Sequence, residues 1–119
     1  MSTLFLELPL PPTINGGYWK FAGSRRFLTL AAREFKQQVA HIVSQQPIRF
    51  GAVRLSLSVT FHYKDRRQND LSNRIKSLED ALVQAGLMND DSQIDELHIY
   101  RGAIERSGKS LIEIITLGD

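Results

Sequence analysis

At 119 residues, 42% of them hydrophobic, the chain has the size of one ordinary domain, and the whole span 1–119 is read as a single α/β domain. The absence of cysteine excludes disulfides and thiolate metal sites and suits a reducing cytoplasm. No apolar run approaches bilayer-spanning length and no basic region followed by a long apolar run opens the chain, so neither a membrane partner nor a secretory signal is expected; the net charge of +2 alone says little about partners.

In chain order, Leu4, Leu6 and Leu8 alternate with Phe5 and Glu7, which predicts a first strand over 3–8, ended by Pro9, Pro11 and Pro12. Asn15, Gly16 and Gly17 then supply turn residues for a loop. Thr29 can cap a helix over about 30–45, whose Ala32, Phe35, Val39 and Ile42 recur at helical spacing. Val53, Leu55, Leu57, Val59, Phe61 and Tyr63 alternate with polar residues, the clearest strand in the sequence. Leu71, Ile75, Leu78, Leu82 and Ala85 form one helical stripe, and Gly86 stands where a helix commonly ends. Strands are expected around Leu97–Ile99 and Leu111–Ile115, with Ser107-Gly108 turning the chain between them. The order β-α-β-α-β-β predicts one mixed sheet packed by two helices.

Charge is segregated along the chain. Lys20, Arg25, Arg26, Arg33 and Lys36 face Glu34 alone in one basic segment, and Lys64, Arg66, Arg67, Arg74 and Lys76 outnumber Asp65 and Asp70 in a second. Glu79, Asp80, Asp90, Asp91, Asp95 and Glu96 follow without a basic residue among them. Phosphate is attracted by the first kind of segment and a divalent cation by the second, although a solvated surface accounts for the same scatter. Asp70 precedes the second helix, where extended backbone would turn Asp70 and Ser72 to one side, and either residue also suits a helix N-cap. Asp90 and Asp91 follow that helix and equally suit a polar turn. A 15-residue helix is about 22 Å long, so Asp70 and Asp91 can share an ion only if the chain returns along it or a second subunit supplies one of them. Mg²⁺ needs only one or two carboxylates besides water and phosphate. Asn73, Lys76 and Asp80 lie opposite the apolar stripe, which reads as a solvated face or as a place for Lys76 beside a scissile phosphate. Lys64, Arg66 and Arg67, with Arg25 and Arg26 in the earlier segment, are candidate phosphate contacts.

The run from Asp65 through Asp70-Leu71-Ser72-Asn73 to Lys76, then Glu79-Asp80-Ala81-Leu82 and Gly86-Leu87-Met88-Asn89-Asp90-Asp91-Ser92-Gln93, resembles the signature of the RusA family of Holliday junction resolvases. Leu8-Pro9-Leu10-Pro11-Pro12-Thr13-Ile14-Asn15 resembles that family's opening, so the likeness covers nearly the whole chain. By position, the resemblance implies that Asp70 and Asp91 belong to a metal-binding acidic cluster, with Asp90 a further candidate, and that Lys76 is catalytic. It also implies Mg²⁺ or Mn²⁺ as cofactor, a homodimer, four-way junctions as the DNA substrate, paired nicks as the reaction, and a place in recombination and repair. One position departs: Ser72 stands where the family has the second aspartate of Asp-x-Asp. A hydroxyl is a far weaker Mg²⁺ ligand than a carboxylate, so a module that grips junctions without cutting them is the alternative reading.

Overall fold

A computed structural model describes residues 2–14, 17–67 and 70–118. Asn15 and Gly16 of the expected turn, and Gln68 and Asn69 of the signature run, lie outside the described residues. Four strands form the main sheet: Thr3–Leu8 (β1), Leu55–His62, Ile94–Arg101 and Lys109–Thr116. Between the first two of them, Trp19–Ala22 (β2) and Arg25–Leu28 (β3) pair as a separate hairpin, so the later strands are β4, β5 and β6. Leu30–Ser44 (α1) and Ile75–Gln84 (α2) are the two helices.

The main sheet has the order β1-β6-β4-β5, with β1–β6 and β6–β4 antiparallel and β4–β5 parallel. The parallel pair is joined through α2, as a parallel connection requires a crossover. Leu55, Leu57, Val59 and Phe61 of β4 and Ile112 and Ile114 of β6 are buried, together with Leu4, Leu6 and Leu8 of β1. Against them pack Phe35, Val39 and Val43 of α1 and Leu78, Ala81 and Leu82 of α2, which makes one core on one face of the sheet. The opposite face stays open: Phe5 is 68% exposed, and Leu111 and Tyr100 are exposed with it. β5 is an edge strand, which explains why Leu97 is exposed while Ile99 packs partly against the core.

Three local signals act as expected. Thr29 caps α1 by accepting the Ala32 N–H at 3.1 Å. Gly86, at φ 82°, takes the left-handed position after α2; its N–H bonds the Val83 carbonyl, and the Leu87 N–H bonds that of Leu82. Gly108 closes the β5–β6 connection by donating to the Glu105 carbonyl. Two differences stand out. The hairpin occupies sequence expected to be loop. The second helix begins at Ile75, because residues Leu71–Asn73 form a separate 3₁₀ turn whose Asn73 carbonyl is taken by the Ile14 N–H at 2.9 Å.

Candidate functional site

Asp70, eight residues beyond the end of β4, is extended and exposed, and its carbonyl accepts the Asn73 N–H. It occupies the capping position of the 71–73 turn, yet its carboxylate makes no cap hydrogen bond. The simplest structural use of this aspartate is therefore not taken up. Ser72 is exposed within the 3₁₀ turn, so strand alternation does not align it with Asp70 as the sequence suggested. Asn73 is half-buried rather than on a solvated face, and its Oδ1 is buried without a hydrogen-bond partner.

The chain does return along α2. That helix has 10 residues, hence a length of about 15 Å, and the 3₁₀ turn Asp91–Gln93 folds back against it. Lys76, in the first turn of α2, donates from Nζ to Oδ2 of Asp91 and lies 3.6 Å from Oδ1 of Asp80. The Asp91 carboxylate, and behind it the charges of Asp80 and Glu79, hold the Lys76 ammonium above the ordinary lysine range despite partial desolvation. Burial pushes the Glu79 carboxyl up, and the Asp91 charge pushes it in the same direction. The first turn of α2 thus carries one cation among three carboxylates, and the 71–73 turn that follows Asp70 packs beside β5.

Asp91 is fixed by its neighbours. Asp90 accepts the Ser92 N–H at 3.0 Å, and hydrogen bonding from the Ser92 side chain, then from this N–H, holds its carboxylate below the usual range. Gln93 is 4% exposed; its Oε1 accepts the Asn89 and Asp90 N–H groups, both at 2.9 Å, and its Nε2 donates to the carbonyls of Gly51 and Val53 at 2.9 and 2.7 Å. Asp90 and Gln93 form a reciprocal capping box. Sequence reasoning gave Gln93 no role, although the Asp-x-x-Gln spacing of a capping box is legible there.

The basic candidates fall into two places. Lys64, Arg66 and Arg67 are exposed on the connection after β4, where Arg67 bonds Asp65 through its backbone N–H and lies 3.4 Å from it through Nε. Lys64, Arg67 and Arg74 also line a cavity of about 410 Å³ between α1 and that connection. Arg74 itself turns inward, donating to the Pro11 carbonyl, and burial holds its guanidinium below the ordinary arginine range. Arg25 and Arg26 stand on β3, away from that connection in sequence but exposed like it.

Among the described residues no group of three or more histidine, aspartate or glutamate side chains converges to hold a metal ion. Asp70 and Asp91 would offer two carboxylates, and Mg²⁺ completed by water and phosphate oxygens asks for no more than one or two from a protein. No helix is long and apolar enough to cross a membrane among the described residues.

Comparison with known proteins adds the chemical context. The family model described as Endodeoxyribonuclease RusA matches residues 9–115. The chain is 33% identical over 111 residues to a crossover junction endodeoxyribonuclease of Enterobacteria phage HK97, covering 92% of each chain. It is 28% identical over 120 aligned positions to crossover junction endodeoxyribonucleases of Escherichia coli strain K12 and Enterobacteria phage 82, covering all of this chain and 99% of each relative.

Proposed function

The chain belongs to the RusA endodeoxyribonuclease family, and we propose that it resolves Holliday junctions by paired nicks that depend on Mg²⁺ or Mn²⁺. The observation that carries this reading is Asp91 folded onto Lys76 in the first turn of α2, the helix entered through Asp70. Asp70 and Asp91 are the carboxylates that would hold the ion, with Ser72 and Asp90 at its margin. Bound there, a divalent ion supplies an activated water and neutralises phosphate charge. Asp90 is already engaged with the Ser92 N–H and serves first to fix Asp91.

The chain's own residues do the rest. Lys76 offers its ammonium to the oxygens of the scissile phosphate, where negative charge grows during in-line attack. Its ordinary partners, Asp91 and Asp80, keep it charged and on this side of α2 until phosphate arrives. Lys64, Arg66 and Arg67 hold the backbone of one arm and Arg25 and Arg26 that of another, positioning the strand without reading its sequence. Asn73, in the turn before α2, would face the nucleic acid only by turning its side chain outward.

Two strands are cut across a two-fold junction, and a homodimer gives each strand its own site. The open sheet face with Phe5, Leu111 and Tyr100 supports such pairing, because exposed apolar groups of this size gain from a covering surface. The compartment this chemistry requires is the one that holds the DNA, and a chain without cysteine suits a reducing cytoplasm.

The test is cleavage of a synthetic four-way junction, end-labelled on each strand in turn, with Mg²⁺, with Mn²⁺ and with chelator. Nicks at symmetry-related positions in two opposing strands, seen only with a divalent ion, are expected. Tight junction binding without nicks under every condition would instead mark a binding module.

A further inference from the structure

We propose that the β2–β3 hairpin is a base-stacking wedge: Phe21 seats on the base-pair face exposed where junction arms part, while Lys20, Arg25 and Arg26 hold the flanking phosphates. This rests on the junction-binding reading above and adds to it a residue and a mode of contact.

The hairpin is built unlike the rest of the molecule. Every residue from Lys20 to Phe27 is exposed, and Phe21 is 70% exposed. Among the described residues it pairs only with itself, in the register Trp19↔Leu28, Lys20↔Phe27, Phe21↔Arg26 and Ala22↔Arg25, closed by the two-residue turn Gly23-Ser24. A lone two-stranded ribbon gains little from folding in water, so its exposed aromatics are not explained by a core. Opposite residues share a face, so one face carries Trp19, Phe21 and Arg26, and the other Lys20, Arg25 and Phe27. Each face sets an arginine over a ring: Arg26 lies 3.9 Å from the Trp19 centroid and Arg25 5.5 Å from that of Phe27. No arginine or lysine covers Phe21 in this way among the described residues, and residues 17–28 contain no carboxylate.

That composition fits a polyanion with flat apolar faces. Guanidinium and aromatic groups interleaved on a ribbon are what unstacked nucleic acid requires, since bases stack on rings while cations track the backbone. A two-stranded ribbon is also slim enough to enter a groove.

The hairpin's root fixes where it works. Tyr18 is buried at its base, and Thr29 ties the two ends, its N–H donating to the Tyr18 carbonyl and its hydroxyl to that of Gly17, at 2.9 and 2.8 Å. Gly17 lies so close to Thr13 that an added Cβ would be 2.7 Å from its Oγ1. The adjoining Ile14 N–H bonds the Asn73 carbonyl, and Ser77 of α2 donates to the Pro12 carbonyl at 2.7 Å. The ribbon therefore springs from the end of the fold that holds Asp70 and the start of α2.

The experiment uses the full chain in chelator-containing buffer, so that nothing is cut. Affinities are measured for a four-way junction and for a linear duplex of the same sequence, over a range of salt. Trp19 is the chain's one tryptophan, so its emission reports DNA at the hairpin directly. For the unaltered protein, junction preference and quenching of Trp19 by the junction are expected. Loss of one stacked base in Phe21→Ala should weaken junction binding roughly 5- to 150-fold, leave linear duplex nearly unaffected and leave the salt slope unchanged. Phe21→Leu, which keeps apolar bulk but has no ring, should fail similarly, and Phe21→Trp should retain affinity. Arg25→Ala with Arg26→Ala should instead flatten the slope, by about 0.9 for each phosphate that the arginines no longer neutralise. Junction preference that survives both Phe21→Ala and Phe21→Leu would overturn the wedge while leaving the proposed function standing. A change of oligomeric state in Phe21→Ala would also overturn it, because the ring would then be covered by a second copy. Absence of junction preference in the unaltered chain would remove both readings.

Discussion

Replacing Gln93 with alanine tests whether the turn that carries Asp91 is held as described. The amide makes four hydrogen bonds between 2.7 and 2.9 Å, to Asn89, Asp90, Gly51 and Val53. At a net contribution of about 1 kcal/mol each, their joint loss would cost up to about 4 kcal/mol. Residues 89, 90, 51 and 53 are themselves exposed, so water can rehydrate part of the freed backbone. A cost of about 2–4 kcal/mol is therefore expected, a large share of the roughly 5–15 kcal/mol typical of a domain. In urea unfolding with a slope near 2 kcal/mol per M, the midpoint should fall by about 1–2 M with the slope unchanged. Gln93→Glu should be at least as damaging at neutral pH, since a carboxylate cannot donate to the Gly51 and Val53 carbonyls. Junction cleavage should drop further than the folded fraction explains, because Asp91 loses its fixed place beside Lys76. A midpoint within about 0.2 M of the unaltered protein would refute the clamp, since two or more of these bonds would then contribute nothing.

Three further outcomes are expected. Ser72→Asp should cost little stability, because the position is exposed within the 71–73 turn, and should tighten Mg²⁺ binding and speed junction cleavage at limiting Mg²⁺; equal rates for the two proteins would show that position 72 is not a ligand position. Arg66→Ala with Arg67→Ala should weaken DNA binding and flatten its salt dependence, by about 0.9 in log–log slope per phosphate contact on duplex DNA, and an unchanged slope would show that neither touches phosphate. Glu79 is protonated more readily in the folded chain, chiefly through burial, so the folded state binds more protons between the unfolded and folded titration points and stability falls as pH rises through that window. Glu79→Gln should remove this fall and be more stable than the unaltered protein at neutral pH; parallel stability–pH curves for the two proteins would contradict the assigned cause.

Elements with one wet and one dry face were legible in the sequence. Leu4, Leu6 and Leu8 gave β1 its limits because alternation follows burial, and Thr29 set the start of α1 through one hydroxyl. The β2–β3 hairpin was not legible as strand because neither face is buried, so its pattern alternates nothing; the only local cue was Gly23-Ser24 between two aromatic and basic runs. The true start of α2 was hidden for another reason. The Leu71–Ile75 spacing is helical, but the Asn73 carbonyl is committed to Ile14, a partner 59 positions away in the chain that no local pattern records. The site divides in the same way. Asp70, Lys76 and Asp91 could be picked out by residue type and by resemblance, whereas the fold-back of Asp91 onto Lys76 depends on the Gln93 clamp to Gly51 and Val53, which is tertiary.

The central claim is that Asp70 and Asp91 act together in a cutting centre beside Lys76. It is tested most directly by single-turnover cleavage of a four-way junction at saturating protein and fixed Mg²⁺, comparing the unaltered chain with Asp70→Asn and Asp91→Asn. Loss of a charge-stabilising group in such a centre costs on the order of 10²–10³ in rate, so each variant should cut at least about 100-fold more slowly. Junction affinity in chelator should be unchanged or tighter, since each change removes a negative charge facing phosphate. Cleavage by either variant at the unaltered rate would contradict the assignment of that aspartate and, with it, the shared ion.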